Sequence, residues 1–154
     1  MSAQTIKVNM FILMANDIVA MIDFYEKIGL KLLFHVPGKW AEFDINGIKL
    51  GIAHTVHELS DRRTGIVLEV PDLYTFYTQA VAAGIAFLDE PAQASHGIVV
   101  SFRDPGLNIL DFYQPLPEKV QDIIKNMKLK KCCGSYETCK CSNDTSQKKC
   151  CGGH

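Results

Sequence analysis

The sequence predicts an α+β fold: two βαβββ modules forming a curved mixed sheet with a cavity, followed by a short helix and a disordered tail. Three observations predict it. The stretch Met10 to Leu30 repeats at Gly65 to Ile85, with Asp17 falling on Asp72, Gly29 on Gly84 and Leu30 on Ile85. Each copy is followed by three segments that alternate apolar with mixed residues at the period of a strand. All six cysteines lie beyond Lys131, where the apolar patterning has stopped.

Each repeat reads as strand, cap, helix and stop. Asp17 and Asp72 can accept hydrogen bonds from the free N–H groups of a first helical turn. Ile18, Met21, Ile22 and Tyr25 recur at helical spacing, as do Leu73, Phe76, Tyr77, Ala80 and Val81. Gly29 and Gly84 suit the left-handed residue that closes a helix. The first module continues with KLLFHV, WAEFDI and IKLGIA, the last two joined by Asn46-Gly47, a strong type I′ hairpin signal. The second continues with IAFLDE, GIVVSF and NILDFY.

Alternation separates the faces of these strands. Leu13, Phe43, Leu50, Ile52, Leu68, Leu110 and Phe112 belong to an apolar face that should meet the helices. The opposite face is mixed and carries Met10, Trp40, Glu42, Gly51, Gly65 and Asp111. Small residues and carboxylates there suit a cavity better than a packed core. Counting outward from the Asn-Gly turn pairs Ile45 with Ile48, Asp44 with Lys49, Glu42 with Gly51 and Trp40 with Ala53. Trp40 could stack on a planar ligand or seal the cavity mouth. Phe87 is a second aromatic wall or part of the core.

Charge divides the chain as well. Up to Pro115 there are 8 basic and 13 acidic residues, and beyond it 8 basic and 4 acidic, so the body carries −5 and the remainder +4. Three segments follow: a domain over 1–115, an amphipathic helix over 116–131 and a cysteine-rich tail over 132–154. Arg62-Arg63 is too small a basic cluster for nucleic acid. No apolar run approaches the ~18 residues of a membrane span, and the N-terminus lacks a basic region and cleavage site, so the expected location is cytoplasmic. Phosphate-loop, nucleophile-elbow and zinc-protease motifs do not occur. In the helical segment, Val120, Ile123, Ile124 and Met127 form one apolar stripe, suited to the body or a partner subunit.

The strand–helix junctions MANDIVAMIDFYEKIGL and VLEVPDL, with the closing run RDPGLNILDFYQP, resemble the vicinal oxygen chelate superfamily of glyoxalases, bleomycin-resistance proteins and dioxygenases. The resemblance covers Val8 to Pro115. It implies a cavity with four ligand positions, which fall on Met10, Gly51, Gly65 and Asp111. Of these only Asp111 suits a hard or borderline metal, so the expectation is a cavity without a metal cofactor. Glu42 faces the empty Gly51 position. With Asp111 it could bind a cation or act as a general base, and these two are the candidate catalytic residues; alternatively Glu42 is a solvated rim residue and Asp111 caps local backbone. By the same resemblance the loop holding His96 borders the ligand, and a homodimer is expected.

Beyond the helix lie Cys132-Cys133, Cys139, Cys141 and Cys150-Cys151, and KKCCG occurs twice. Neighbouring lysines favour the thiolate. Thiolates are soft donors, and in a reducing compartment six clustered cysteines point to a soft metal or trivalent arsenical rather than disulfides. Cysteine pairs at the C-terminus are also a feature of C–As lyases in the resembled superfamily. Palmitoylation of the vicinal pairs, or a tail of no defined role, stays open. The preferred reading is a metal-independent small-molecule binding or resistance protein whose tail binds a soft metal or arsenical. The alternatives are a metal-dependent lyase, isomerase or dioxygenase, and a non-catalytic sequestering protein with a vestigial cavity.

Overall fold

A computed structural model describes residues 5–131. The first module comprises β1 (Met10–Ala15), α1 (Ile18–Lys27), β2 (Lys31–Val36), β3 (Trp40–Ile45) and β4 (Ile48–His54). The second comprises β5 (Arg62–Glu69), α2 (Leu73–Ala82), β6 (Ala92–Gln93), β7 (Gly97–Arg103) and β8 (Asn108–Pro115). The strands form two four-stranded sheets, ordered β1-β4-β3-β2 and β5-β8-β7-β6. Each module thus contributes one mixed sheet to the expected α+β architecture, with β1 and β5 each at an edge. In each sheet the first strand runs parallel to the last and the others are antiparallel.

Local chemistry sets the element ends. Asp17 Oδ1 accepts from Ala20 N at 3.0 Å and Asp72 Oδ1 from Thr75 N at 3.1 Å, so each helix has an aspartate cap. Gly29 and Gly84 follow the helices at φ +94° and +85°, a conformation a Cβ opposes. Asn46 and Gly47, at φ +49° and +91°, form the two-residue turn between β3 and β4. That turn fixes the register read from the sequence: Ile45–Ile48, Asp44–Lys49, Glu42–Gly51 and Trp40–Ala53.

Two elements depart from expectation. IAFLDE was expected as a strand, but only Phe87 forms a bridge, to Phe102, before the two-residue β6 begins at Ala92. Leu88 N still donates to Ser101 O. The chain then bends at Leu88–Asp89, and pairing with β7 resumes at Ala92, just after Pro91. The second departure is in β5, where pairing with β8 jumps from Arg63–Ile109 to Val67–Asp111. Three residues there oppose one, and Gly65 sits in the bulge at φ +73°.

The apolar faces make the core. Met21, Tyr25, Phe43, Leu50 and Ile52 are fully buried, as are Leu73 and Phe102. Phe24 of α1 stacks on Phe102 at 5.9 Å between ring centroids, and Phe102 stacks on Phe112 at 4.4 Å. An aromatic row therefore runs from the helix of the first module into the sheet of the second. Beside it, Tyr25 OH donates to Asp104 Oδ2 at 2.9 Å.

Of the described residues, 5–115 form one compact unit and those from Leu116 onward belong to another. In the second unit α3 spans Pro117–Lys131, with Glu118 in its first turn. Its apolar stripe is open, with Ile123, Ile124 and Met127 exposed. The six cysteines lie outside the described residues. Among the described residues no helix is long and apolar enough to cross a membrane.

Candidate ligand site

On the first sheet the face turned away from α1 holds Met10, Trp40, Glu42, Lys49 and Gly51 together. Glu42 and Gly51 are direct partners, and β1 runs parallel on the other side of β4. A Cβ at Gly51 would lie 2.5 Å from Trp40 Cζ2 and 3.1 Å from Met10 Sδ. The indole therefore lies across the glycine, in space a side chain at position 51 would need. Glycine here is a packing requirement, and Met10 borders the same hollow.

Glu42 is buried, yet Lys49 Nζ stands 3.1 Å from its Oε1. Lys49 is opposite Asp44 in the register but pairs diagonally, one step along the ladder. The buried carboxylate thus has its countercharge from the protein, which offsets the cost of burying it. Glu42 is neither a solvated rim residue nor bonded to Asp111; the two carboxylates are held by separate partners on separate sheets.

On the second sheet Ser101 and Asp111 are cross-strand partners, and Ser101 Oγ donates to Asp111 Oδ1 at 2.5 Å. Two residues along β8, Tyr113 lies over Gly97: a Cβ there would meet Tyr113 Cζ at 2.6 Å and Gln114 O at 2.5 Å. The Tyr113 hydroxyl lies 2.7 Å from His96 Nδ1 and donates to His96 O at 3.1 Å. His96 thus does join the open face, through a tyrosine. Phe87 is elsewhere. Its ring packs 4.7 Å from Tyr77 of α2 and 6.4 Å from Phe112, on the helix side of the sheet. Gly65 stands exposed in the β5 bulge.

The four positions marked by the resemblance can be tested as metal donors. They supply one thioether, two glycines without side chains and one carboxylate already bonded to Ser101. The Gly51 hollow is filled by indole. This set does not fit a hard or borderline cation, which needs several oxygen or imidazole donors. Among the described residues no three of His, Cys, Asp and Glu are grouped to hold a metal ion.

Sequence reasoning did not single out Ser101, Tyr113 or the Lys49–Glu42 pair. The signal for Tyr113 was its place two residues after Asp111, on the same face of β8. The β7–β8 connection is not a two-residue turn, so the register that joins Ser101 to Asp111 could not be counted as it was for β3 and β4.

Residues 7–112 match the family described as the Glyoxalase/Bleomycin resistance protein/Dioxygenase superfamily. No curated protein sequence gave a match. Among solved structures, an antibiotic binding protein from a Streptomyces species is 24% identical with a TM-score of 0.60, covering 75% of this chain and 99% of that one. A lactoylglutathione lyase from Agrobacterium tumefaciens is 17% identical with a TM-score of 0.61, covering 72% and 95%. A fosfomycin resistance protein from Listeria monocytogenes is 14% identical with a TM-score of 0.62, covering 80% and 98%. At these identities the structures share the fold with this chain. With two βαβββ modules in place and the family match spanning both, the chain belongs to the glyoxalase/bleomycin resistance protein/dioxygenase superfamily.

Proposed function

We propose that the protein binds a small planar molecule on the open face of its first sheet, without a resident metal, as a binding or resistance protein. One observation carries this reading: the Trp40 indole occupies the hollow over Gly51 where a metal-binding member would present a ligand side chain. The same ring offers an aromatic surface, and stacking on it is worth about 0.5–1.5 kcal/mol beyond the area buried. Of the two candidate carboxylates only Glu42 lies on this face, where it favours a ligand with a cationic or hydrogen-bond-donating group. A solved relative described as an antibiotic binding protein is consistent with this class of ligand.

Trp40 is the sole tryptophan, so its emission reports the site directly. Titration with planar cationic antibiotics should quench it saturably. Trp40→Ala, followed by calorimetry, should weaken binding roughly tenfold, the equivalent of 1.4 kcal/mol. Unchanged affinity in that variant would exclude the open face as the site.

The cysteine tail belongs to the same proposal. Cys132, Cys133, Cys139, Cys141, Cys150 and Cys151 would hold a soft metal or trivalent arsenical. Elemental mass spectrometry on anaerobically purified protein should find metal or added arsenite on the full chain and none on a chain ending at Leu129. Retention by the shortened chain would place the metal in the body instead. A cytoplasmic homodimer completes the reading. Leu33, Phe34 and Val36 on the edge strand β2 are exposed apolar side chains that a second copy would cover. Sedimentation velocity should therefore give about twice the chain mass.

A further inference from the structure

The helix α3 keeps its apolar stripe open. Val120 is half-buried, while Ile123, Ile124 and Met127 are exposed, Met127 most of all. Apolar side chains gathered on one side of a helix are normally covered by something.

Charge is ordered around this stripe. At about 3.6 residues per turn, Lys119 and Lys128 lie about 90° to either side of its centre. Glu118, Asp122 and Lys125 lie on the opposite face, where Lys125 Nζ stands 3.8 Å from Asp122 Oδ1. No carboxylate of the helix borders the stripe. Along the chain the imbalance is wider. Residues 116–131 hold Lys119, Lys125, Lys128, Lys130 and Lys131 against Glu118 and Asp122, a net charge of +3, while the chain up to Pro115 carries −5.

These charges select among the surfaces that could cover the stripe. A second α3 would set +3 against +3 and offer only four apolar side chains in return. A nucleic acid offers negative charge but no apolar phase for Ile123, Ile124 and Met127. A protein groove reads a helix through bulky anchors, often aromatic, and α3 has no aromatic residue. The headgroup–acyl boundary of an anionic bilayer supplies negative charge and an apolar phase together, and it needs no shaped pocket. Lysine stems beside the stripe can run along that boundary with their ammonium groups among the lipid phosphates.

We propose that α3 is a peripheral docking element for an anionic membrane surface. The helix lies along the surface with Ile123, Ile124 and Met127 at the acyl boundary, and Lys119 and Lys128 hold headgroups on either side. Its 15 residues make a rod of about 22 Å, too short and too charged to span. The same surface repels the acidic residues before Pro115, so the contact is confined to the basic segment. The proposal does not depend on ligand binding at Trp40.

The test is co-sedimentation of the full chain with vesicles of phosphatidylcholine alone and of an equal mixture of phosphatidylcholine and phosphatidylserine. Binding is expected on the mixed vesicles and not on phosphatidylcholine alone, and it should fall as salt is raised. Ile124→Gln combined with Met127→Gln puts good helix formers at two exposed positions, so the helix is kept while the stripe is lost. That pair should weaken binding about tenfold or more. Lys128→Gln should weaken it about fivefold, and Lys125→Gln, on the far face, should weaken it less. No binding to the mixed vesicles, or equal binding to both kinds, would overturn the proposal. So would binding that the glutamine pair leaves unchanged, which would assign it to the lysines of the tail. Equal losses at Lys125 and Lys128 would overturn it as well, because they would reduce the contact to unoriented charge attraction. A sedimentation mass that the glutamine pair halves would do the same, since a second copy would then cover the stripe.

Discussion

At the scale of single residues, the open faces are decided by two glycines that each lie under an aromatic ring. They differ in what a methyl group would meet. At Gly51 the obstacles are side chains, the Trp40 ring and Met10 Sδ, which can shift at a cost. At Gly97 one obstacle is the backbone oxygen of Gln114, which is part of the β7–β8 ladder and cannot turn aside. Gly51→Ala should therefore destabilise by about 1–3 kcal/mol, the usual cost of overpacking, and shift Trp40 emission to longer wavelength as the ring is pushed outward. Gly97→Ala should cost more than Gly51→Ala and leave the emission unchanged. Urea denaturation with fluorescence separates the two; equal costs would show that the Gln114 contact is relieved by backbone movement. The pairing of Trp40 with Ala53 was legible in the sequence, because an Asn-Gly turn lets the register be counted. The lean of the indole onto Gly51 was not, because a diagonal contact depends on rotamer and strand twist rather than on spacing. The same limit hid the diagonal Lys49–Glu42 pair.

At the scale of elements, the helices were the most legible part. Asp17 and Asp72 announce the helix starts, Gly29 and Gly84 their ends, and the apolar residues between them recur at helical spacing. Asp72 adds a pH dependence to its cap. The Thr75 hydroxyl donates to Oδ2 at 2.7 Å, and with the Thr75 N–H it holds the carboxyl below its usual range. A depressed carboxyl contributes stability that is present above the unfolded value, near 3.9, and is lost as pH falls through the folded value. Asp72→Ala should thus lower Tm at neutral pH, and the difference from the native chain should shrink as pH falls below the unfolded value. A difference that stays constant into acid would mean that the cap works through geometry alone. The strands were less legible where alternation is broken. The β5 bulge places three residues opposite one while the sequence GIVLEV reads as regular alternation, so Gly65 looked like an ordinary cavity position. IAFLDE has strand composition, yet the chain bends at Leu88–Asp89 and regular pairing resumes only at Ala92, a break that composition does not register.

At the scale of the whole domain, the question is what holds two similar modules in one arrangement. Apolar packing supplies the aromatic row from Phe24 through Phe102 to Phe112, but stacked rings tolerate sliding. The Tyr25–Asp104 hydrogen bond gives the contact a fixed point, since it joins α1 of the first module to the β7–β8 loop of the second. Asp104 is nearly fully buried and also accepts from the N–H groups of Gly106 and Asn108, so Tyr25 docks on a loop that its own carboxylate has organised. Burial raises the Asp104 carboxyl above its ordinary value, against the opposing effect of these hydrogen bonds. Burial, and then the Asp104 charge, raises the Tyr25 hydroxyl well above the ordinary tyrosine range. In the unfolded chain Tyr25 would ionise near pH 10, while in the fold it stays protonated. A raised group contributes stability that is complete below the unfolded value and is lost as pH rises toward the folded one. Tyr25→Phe removes the donor and leaves a buried carboxylate short of a partner, which should cost about 1–3 kcal/mol at pH 7. It also removes the alkaline dependence, because phenylalanine does not titrate. The stability gap between native chain and variant should therefore narrow between pH 9 and about pH 11, as the native chain alone loses the contribution of Tyr25. Urea unfolding of both chains at each pH measures that gap directly. A gap that is large at pH 7 and unchanged at high pH would mean that Tyr25 ionises as freely in the fold as outside it, whereas a gap near zero at pH 7 would leave the joint between the modules to ring packing alone.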